Sequence, residues 1–289
     1  MIGCMSSYVI DWDEQAAALQ SEASIDSAWH AAVARDIARD TDRLAVDAGC
    51  GDGRMTRALA AALPPAARVV GVDASAEMLA VAARESAEAG DRVGFVQASF
   101  EEGFTAAVGE PADLVWASVS VHHAGDQQAA LDRLAELLAP GGRLALAEGG
   151  LPSQYLPWDV GVGEPGLESR LVAAGERWFE RMRAELPGSV RMPYGWTAAL
   201  RRAGLGEVHT RTFLVELPAP LTSEGRQVVV HALRSQVDRL ADTDLLHPAD
   251  REAWRRLLDP ADPAWLGARD DTHVLRARSV HMAQRRSTT

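Results

Sequence analysis

Between Leu44 and Ala147 the chain alternates short, almost uninterrupted apolar runs with amphipathic helical patterns, and this alternation constrains the fold more than any other feature. The runs are Leu44–Ala48, Val69–Val72, Val93–Val96, Leu114–Ser118 and Leu144–Ala147. Between them lie a helical stretch at 53–63 closed by Pro64-Pro65 and a helix from Ser75 to Glu88 closed near Gly90. A third helix carries Leu131, Leu134, Leu137 and Leu138, and the turn Pro140-Gly141-Gly142 follows it. Strands that are apolar on both faces belong to a parallel sheet covered on both sides. Strand and helix in regular succession predict a doubly wound α/β sheet.

The flanks read differently. Residues 25–40 place Ile25, Trp29, Val33 and Ile37 four apart, which is one face of a helix. Beyond Gly150, residues 151–166 read as a Gly- and Pro-rich connection, and 167–186 as a helix through Leu171, Trp178 and Met182. A short helix at 194–204, a strand over Glu207–Leu217, helices near 222–241 and 248–258, and a final strand over Thr272–Met282 complete the pattern. The expected domains are a helical lid at 1–41, a sheet core at 42–150, and substrate-cap helices with the last two strands at 151–289.

Composition excludes several classes. A net charge of −12 disfavours nucleic acid, whose binding relies on cationic side chains releasing counterions. No stretch approaches the ~20 apolar residues of a membrane span. Asp11, Asp13 and Glu14 precede any apolar run, so the N-terminus does not read as a secretory signal. Two cysteines, Cys4 and Cys50, cannot build a disulfide framework or a four-cysteine zinc site. The expectation is a cytoplasmic protein with a small-molecule partner, no nucleic acid and no membrane; a homodimer is left open. All 29 basic residues are arginine, which excludes Schiff-base chemistry and a P-loop lysine.

The segment Asp47-Ala48-Gly49-Cys50-Gly51-Asp52-Gly53-Arg54 leaves an apolar run and opens a helix. Glycines there permit a tight turn and close approach of a ligand to the backbone, and amides at a helix start favour a carboxylate-bearing group. Arg54 stands where a dinucleotide fingerprint needs its third glycine, which argues against a pyrophosphate ligand. Asp73 ends the next strand, ~20 residues on, where an acid can take both hydroxyls of a ribose. Together they describe a nucleoside ligand without pyrophosphate.

In these residues the chain resembles the class I S-adenosylmethionine-dependent methyltransferases. The likeness rests on Val46 to Gly53, on Gly71-Val72-Asp73-Ala74-Ser75 with Met78-Leu79, and on Ala139-Pro140-Gly141-Gly142 before the fifth strand. It is close over about residues 42–150. It implies a Rossmann-like, seven-stranded, mostly parallel sheet and S-adenosylmethionine as cofactor. It further implies that Gly49, Cys50 and Gly51 meet the methionine moiety, that Asp47 holds the turn, that Asp73 takes the ribose, and that Ala74 and Met78 pack on adenine. The family often has an acid after the third strand; Ser99 and Phe100 stand there instead. Ser118 closes the cofactor side at the fourth strand.

The acceptor would lie beside the loop Ser118-Val119-Ser120-Val121-His122-His123, at the point where the strand order reverses. His122 and His123 are the candidate general bases. Adjacent side chains diverge, so one of them faces the substrate, with a slight preference for His122. The loop lacks the Asn/Asp-Pro-Pro-Tyr signature of nucleobase and amide N-methyltransferases. With no carboxylate or third histidine at ligand spacing, no metal site is expected. Tyr8, Trp12, Tyr155, Trp158 and Trp196 are candidate pocket walls for an aromatic small molecule, whereas His231 and Arg234 read as solvated or core-satisfied. Methylation of oxygen, nitrogen or carbon remains open. The competing readings are an NAD(P)-dependent oxidoreductase and a non-catalytic cofactor-binding partner subunit.

Overall fold

The computed structural model describes residues 23–100 and 103–287. Tyr8 and Trp12 lie outside them. The helices are α1 Ala23–Ile37, α2 Arg54–Ala62, α3 Ala76–Glu85, α4 Phe104–Val108, α5 Gln127–Glu136, α6 Leu167–Glu185, α7 Trp196–Arg202, α8 Ser223–Arg239 and α9 Pro248–Leu257. The strands are β1 Leu44–Ala48, β2 Arg68–Asp73, β3 Val93–Gln97, β4 Ala112–Ser118, β5 Leu138–Gln154, β6 Gly206–Leu217 and β7 Val274–Gln284. They form one seven-stranded sheet in the order β3-β2-β1-β4-β5-β7-β6, and β1 to β5 pair in parallel. The order reverses between β1 and β4, so both strands deliver their C-terminal loops to one crevice. No helix of the described residues is long and apolar enough to cross a membrane.

The expected strand Leu144–Ala147 is only the middle of β5. Ala112 pairs with Leu138 while Leu114 pairs with Arg143, so Pro140-Gly141-Gly142 is accommodated as a bulge rather than as a turn before the strand. Gly141 adopts φ +79° there. Its amide donates to the Arg285 carbonyl, and the Arg285 amide donates to the Gly142 carbonyl. The bulge is thus hydrogen-bonded to the end of the chain and pairing continues through it. The strand also runs on through Gln154, into what reads as connection in the sequence.

The chain divides into two compact units. The first holds Ile25–Gly150, Gly188–Phe213 and the chain from Arg278 onward. All five residues of β1 are buried, as are five of seven in β4, because helices cover both faces of the sheet. On α1 the buried Trp29 meets Trp116 of β4 at 6.0 Å between ring centroids, and the Arg278 guanidinium lies 4.7 Å over Trp29 while bonding Asp26 at 2.8 Å. Earlier in β5, buried Arg143 makes two bonds to buried Asp42, at 2.7 and 3.1 Å.

The second unit contains Leu151–Pro187 and Leu214–Ala277. Leu171, Ala174, Trp178 and Met182 form the buried stripe of α6. Arg170 of that helix forks onto Asp250 of α9 with two 2.8 Å bonds. The Glu168 carboxylate accepts the amides of Tyr155 and Leu156, and burial pushes its pKa up.

Candidate functional site

The glycine turn follows β1. Gly49, Gly51 and Gly53 have φ of +74°, +53° and +77°, a region costly to residues with a Cβ. A Cβ at Gly53 would approach the Ala82 Cβ to 3.0 Å, so Gly53 provides the close helix packing that the sequence spacing assigned one residue later. Arg54 instead opens α2 and bonds Asp52 at 2.6 Å.

The turn differs from the expected set of bare amides. The amides of Gly49 and Cys50 both donate to the Val72 carbonyl, at 2.7 and 3.0 Å, and the Gly51 amide donates to Asp73 Oδ2 at 2.9 Å. These donors are engaged within the protein because the turn must be tied to the end of β2 to hold its left-handed glycines. Asp47 holds the other side: its Oδ2 accepts the Thr56 hydroxyl of α2 at 2.6 Å. Burial raises the Asp47 pKa to about 7, with the carboxylates of Asp73 and Asp52 adding to the rise. Burial likewise pushes the Cys50 thiol up, so Cys50 is a neutral packing group.

Asp73 is half-buried at the end of β2, and its Oδ1 accepts the Ser75 amide at 2.9 Å. Each carboxylate oxygen has about two acceptor positions, so each retains one for a donor such as a ribose hydroxyl. Ser75 caps α3 by accepting the Met78 amide, and this sets Met78 beside the turn, its methyl 3.6 Å from where a Gly51 Cβ would sit. Ala74 is exposed, and its carbonyl is held by Gln97. Ser99 and Phe100 follow β3. The Phe100 ring stacks on Phe104 at 5.5 Å, and its tip lies 3.7 Å from the Cβ position of Gly49.

The loop after β4 approaches the same glycine. A Cβ at Gly49 would lie 2.6 Å from the Ser120 Cβ, and Ser120 Oγ donates to the Ala48 carbonyl at 3.3 Å. From Ser118, at the end of β4, the chain enters Val119, a β-branched residue at φ +49° with an exposed side chain. Non-glycine residues rarely adopt this conformation, and β-branched ones pay most for it. The loop then closes as a 3-10 turn, Val121–His123.

Glu148, absent from the sequence-based candidates, organises this turn. Its Oε1 accepts the amides of Ser120, Val121 and His122 at 3.0, 3.0 and 3.3 Å, and its Oε2 lies 2.8 Å from His122 Nδ1. Glu148 is 3 % exposed and the His122 side chain 21 %. A sequence signal existed: an acid ends the apolar run Leu144–Ala147, on the strand adjoining the one that leads to His122. Chain spacing hid it because the pair lies across neighbouring parallel strands. The expected divergence of His122 and His123 is corrected as well. Their ring centroids lie 3.9 Å apart, because the 3-10 turn brings both side chains to one side.

The aromatic candidates are not gathered in one unit. Tyr155 and Trp158 belong to the helical unit, where Tyr155 is buried and Trp158 is 74 % exposed. Trp196 opens α7 in the sheet unit and packs against its hydrophobic core.

Comparison with known proteins gives a consistent result. A family model described as a methyltransferase domain matches residues 45–142. A trans-aconitate 2-methyltransferase of Paracidovorax citrulli is 43 % identical over 101 residues, 35 % of this chain and 36 % of that protein. A ubiquinone biosynthesis O-methyltransferase of Azorhizobium caulinodans is 32 % identical over 201 residues, 62 % of this chain and 73 % of the relative. The match thus spans about a third of the first of these relatives and nearly three quarters of the second. Haemonchus contortus phosphoethanolamine N-methyltransferase 2, solved with S-adenosyl-L-methionine, shares the fold with a TM-score of 0.51 at 17 % identity, over 99 % of this chain and 61 % of that one.

Proposed function

The chain belongs to the class I S-adenosylmethionine-dependent methyltransferases, and we propose that it transfers the cofactor's methyl group to a hydroxyl of a small molecule. The observation that carries this reading is the approach of Gly49 to Ser120, which sets the turn for a nucleoside ligand against the loop bearing His122.

The residues fit the cofactor. Asp73 has an acceptor position left on each oxygen, as a ribose diol requires, and Met78 and Phe100 supply apolar surface on either side of the turn. Asp47, Gly49, Cys50 and Gly51 would border the methionine moiety, with the amides of Gly49 and Cys50 holding the turn's shape rather than binding. Ala74, Ser99 and Ser118 would complete the wall. When bound, S-adenosylmethionine supplies an already electrophilic methyl group, whose C–S bonding pair remains on sulfur.

What the protein adds is alignment and a proton acceptor. Positioning can contribute several kcal/mol without any covalent chemistry. A hydroxyl is a weak nucleophile while protonated, so a base at its proton is worth about 10²–10⁴-fold. His122 is assigned that role. An acceptor that is already a carboxylate would have no use for it. The relative named as an O-methyltransferase supports the oxygen reading. Trp196, in the same unit as the turn bearing His122, remains a candidate for acceptor recognition.

Titration calorimetry with S-adenosylmethionine and with NAD, followed by transfer of labelled methyl to a panel of phenols, alcohols and carboxylic acids, tests the proposal. Heat with S-adenosylmethionine alone and label on a hydroxyl compound are expected. Label only on carboxylates would overturn the hydroxyl assignment, and cofactor binding without transfer to any compound of an extract would favour a non-catalytic subunit.

A further inference from the structure

The two oxygens of Glu148 face different partners, and the consequence falls on His122. Oε1 meets three backbone N–H groups, all of which can only donate. Oε2 meets Nδ1 of the imidazole at 2.8 Å, and as a carboxylate oxygen it can only accept. Nδ1 must therefore carry a proton, and in the neutral ring the lone pair is then on Nε2. At 3 % exposure, water does not compete for either oxygen.

The backbone of Glu148 is also held. The Glu148 carbonyl lies 3.1 Å from His281 Nε2, and His281 Nδ1 lies 2.8 Å from the Thr210 hydroxyl. With Nε2–H donating to the carbonyl, Nδ1 accepts from Thr210, so one side chain each from β7 and β6 holds β5 in place at Glu148. Burial lowers the His281 pKa, in keeping with a neutral ring that serves as a strut.

We infer that Glu148 is the positioning residue of the site: it sets the tautomer of His122 so that Nε2 is the proton acceptor for the acceptor hydroxyl. This rests on the hydroxyl reading above for its use, but not for its chemistry. In the step, the hydroxyl proton would move to Nε2 as an oxygen lone pair forms the bond to the methyl carbon and the methyl–sulfur bond breaks, its pair leaving on sulfur. The resulting imidazolium keeps Nδ1–H on Glu148, and the Nε2 proton is then released to water.

Glu148→Gln separates this role from a purely structural one. The amide oxygen can still accept the three backbone N–H groups, which places the NH2 against Nδ1. Two donors cannot face each other, so Nδ1 must become the acceptor and Nε2 must take the proton. The experiment is 15N-detected NMR of His122 in wild type and variant, with S-adenosylmethionine affinity and transfer of labelled methyl to catechol measured in parallel. Expected are the Nδ1–H tautomer in wild type and the Nε2–H tautomer in the variant, an unchanged cofactor Kd within about twofold, and transfer reduced about 100-fold. An Nε2–H tautomer in wild type, or the same tautomer in both proteins, overturns the inference. The wild-type spectrum decides the matter even if the variant does not fold. Wild type that shows the Nδ1–H tautomer but methylates no hydroxyl compound would count against the hydroxyl acceptor, not against the role of Glu148.

Discussion

The carboxylate of Asp73 accepts the amide hydrogen of Gly51 at 2.9 Å, so the acid proposed to hold the ribose also pins the glycine turn. A second bond, to the Ser75 amide, ties it to the start of α3. Asp73→Ala should therefore do two things. Cofactor binding should weaken by more than tenfold, through loss of charge-assisted bonds. Stability should also fall by about 1–3 kcal/mol, as two amides lose their acceptor. Calorimetric titration and urea melts check the pair, and an unchanged Kd would remove Asp73 from the ribose.

Val119 holds a left-handed backbone conformation between β4 and the His122 turn. Relieving it with Val119→Gly should stabilise the fold by about 1 kcal/mol, the order of the cost of that conformation for a residue with a Cβ. Loss of the constraint should loosen the loop and lower kcat, with cofactor affinity preserved. A melting temperature that falls would show that the Val119 side chain contributes more than its backbone costs.

Two buried groups set opposing pH dependences. Burial, then the nearby Arg278, Arg54 and Arg57, lowers the His30 pKa to about 3. The unfolded chain thus takes up this proton first, and stability is lost as pH falls from about 6.5 towards 3. Asp47 is raised to about 7 from 3.8, so the folded chain keeps its proton longer, and stability is lost as pH rises from about 4 through 7. Asp47→Asn keeps an oxygen for Thr56 and removes the second effect. The variant should exceed wild type by a few kcal/mol at pH 8, roughly 1.4 kcal/mol for each tenfold change in proton affinity. It should lose that advantage on acidification, where the His30 dependence is exposed. Melts at pH 4.5, 6 and 8 measure this; curves that stay parallel would refute it.

Arg143 of β5 and Asp42, just before β1, form a buried fork. Arg143→Ala should cost about 3–5 kcal/mol by leaving a buried carboxylate unpaired. Replacing both, as Asp42→Asn with Arg143→Met, should recover most of that loss. Denaturant melts of the single and double variants test it, and equal losses in both would show that packing, not charge, dominates there.

The doubly wound sheet was legible because its signals are local. Apolar runs of β1 to β4 and the glycines after β1 lie contiguously in the chain, and in β1 and β4 the runs are enforced by burial on both faces. Asp73 was legible for the same reason, since it ends a run at a fixed distance from the turn. Less visible were the bulge in β5, where Pro140-Gly141-Gly142 reads as a turn until Arg285 is seen bonded to it, and the engagement of the Gly49 and Cys50 amides by Val72.

Residue order along the chain determined the fold, the glycine turn, the acid that ends β2 and the histidines after β4. Tertiary structure alone decided what those histidines meet. Glu148 stands 26 residues from His122 in the chain and meets it only because β4 and β5 are parallel neighbours whose register sets Ser118 beside Ala147. A hydrogen bond between side chains on adjacent strands leaves no periodicity in a sequence, since the helix and loop between them can vary while the register stays the same.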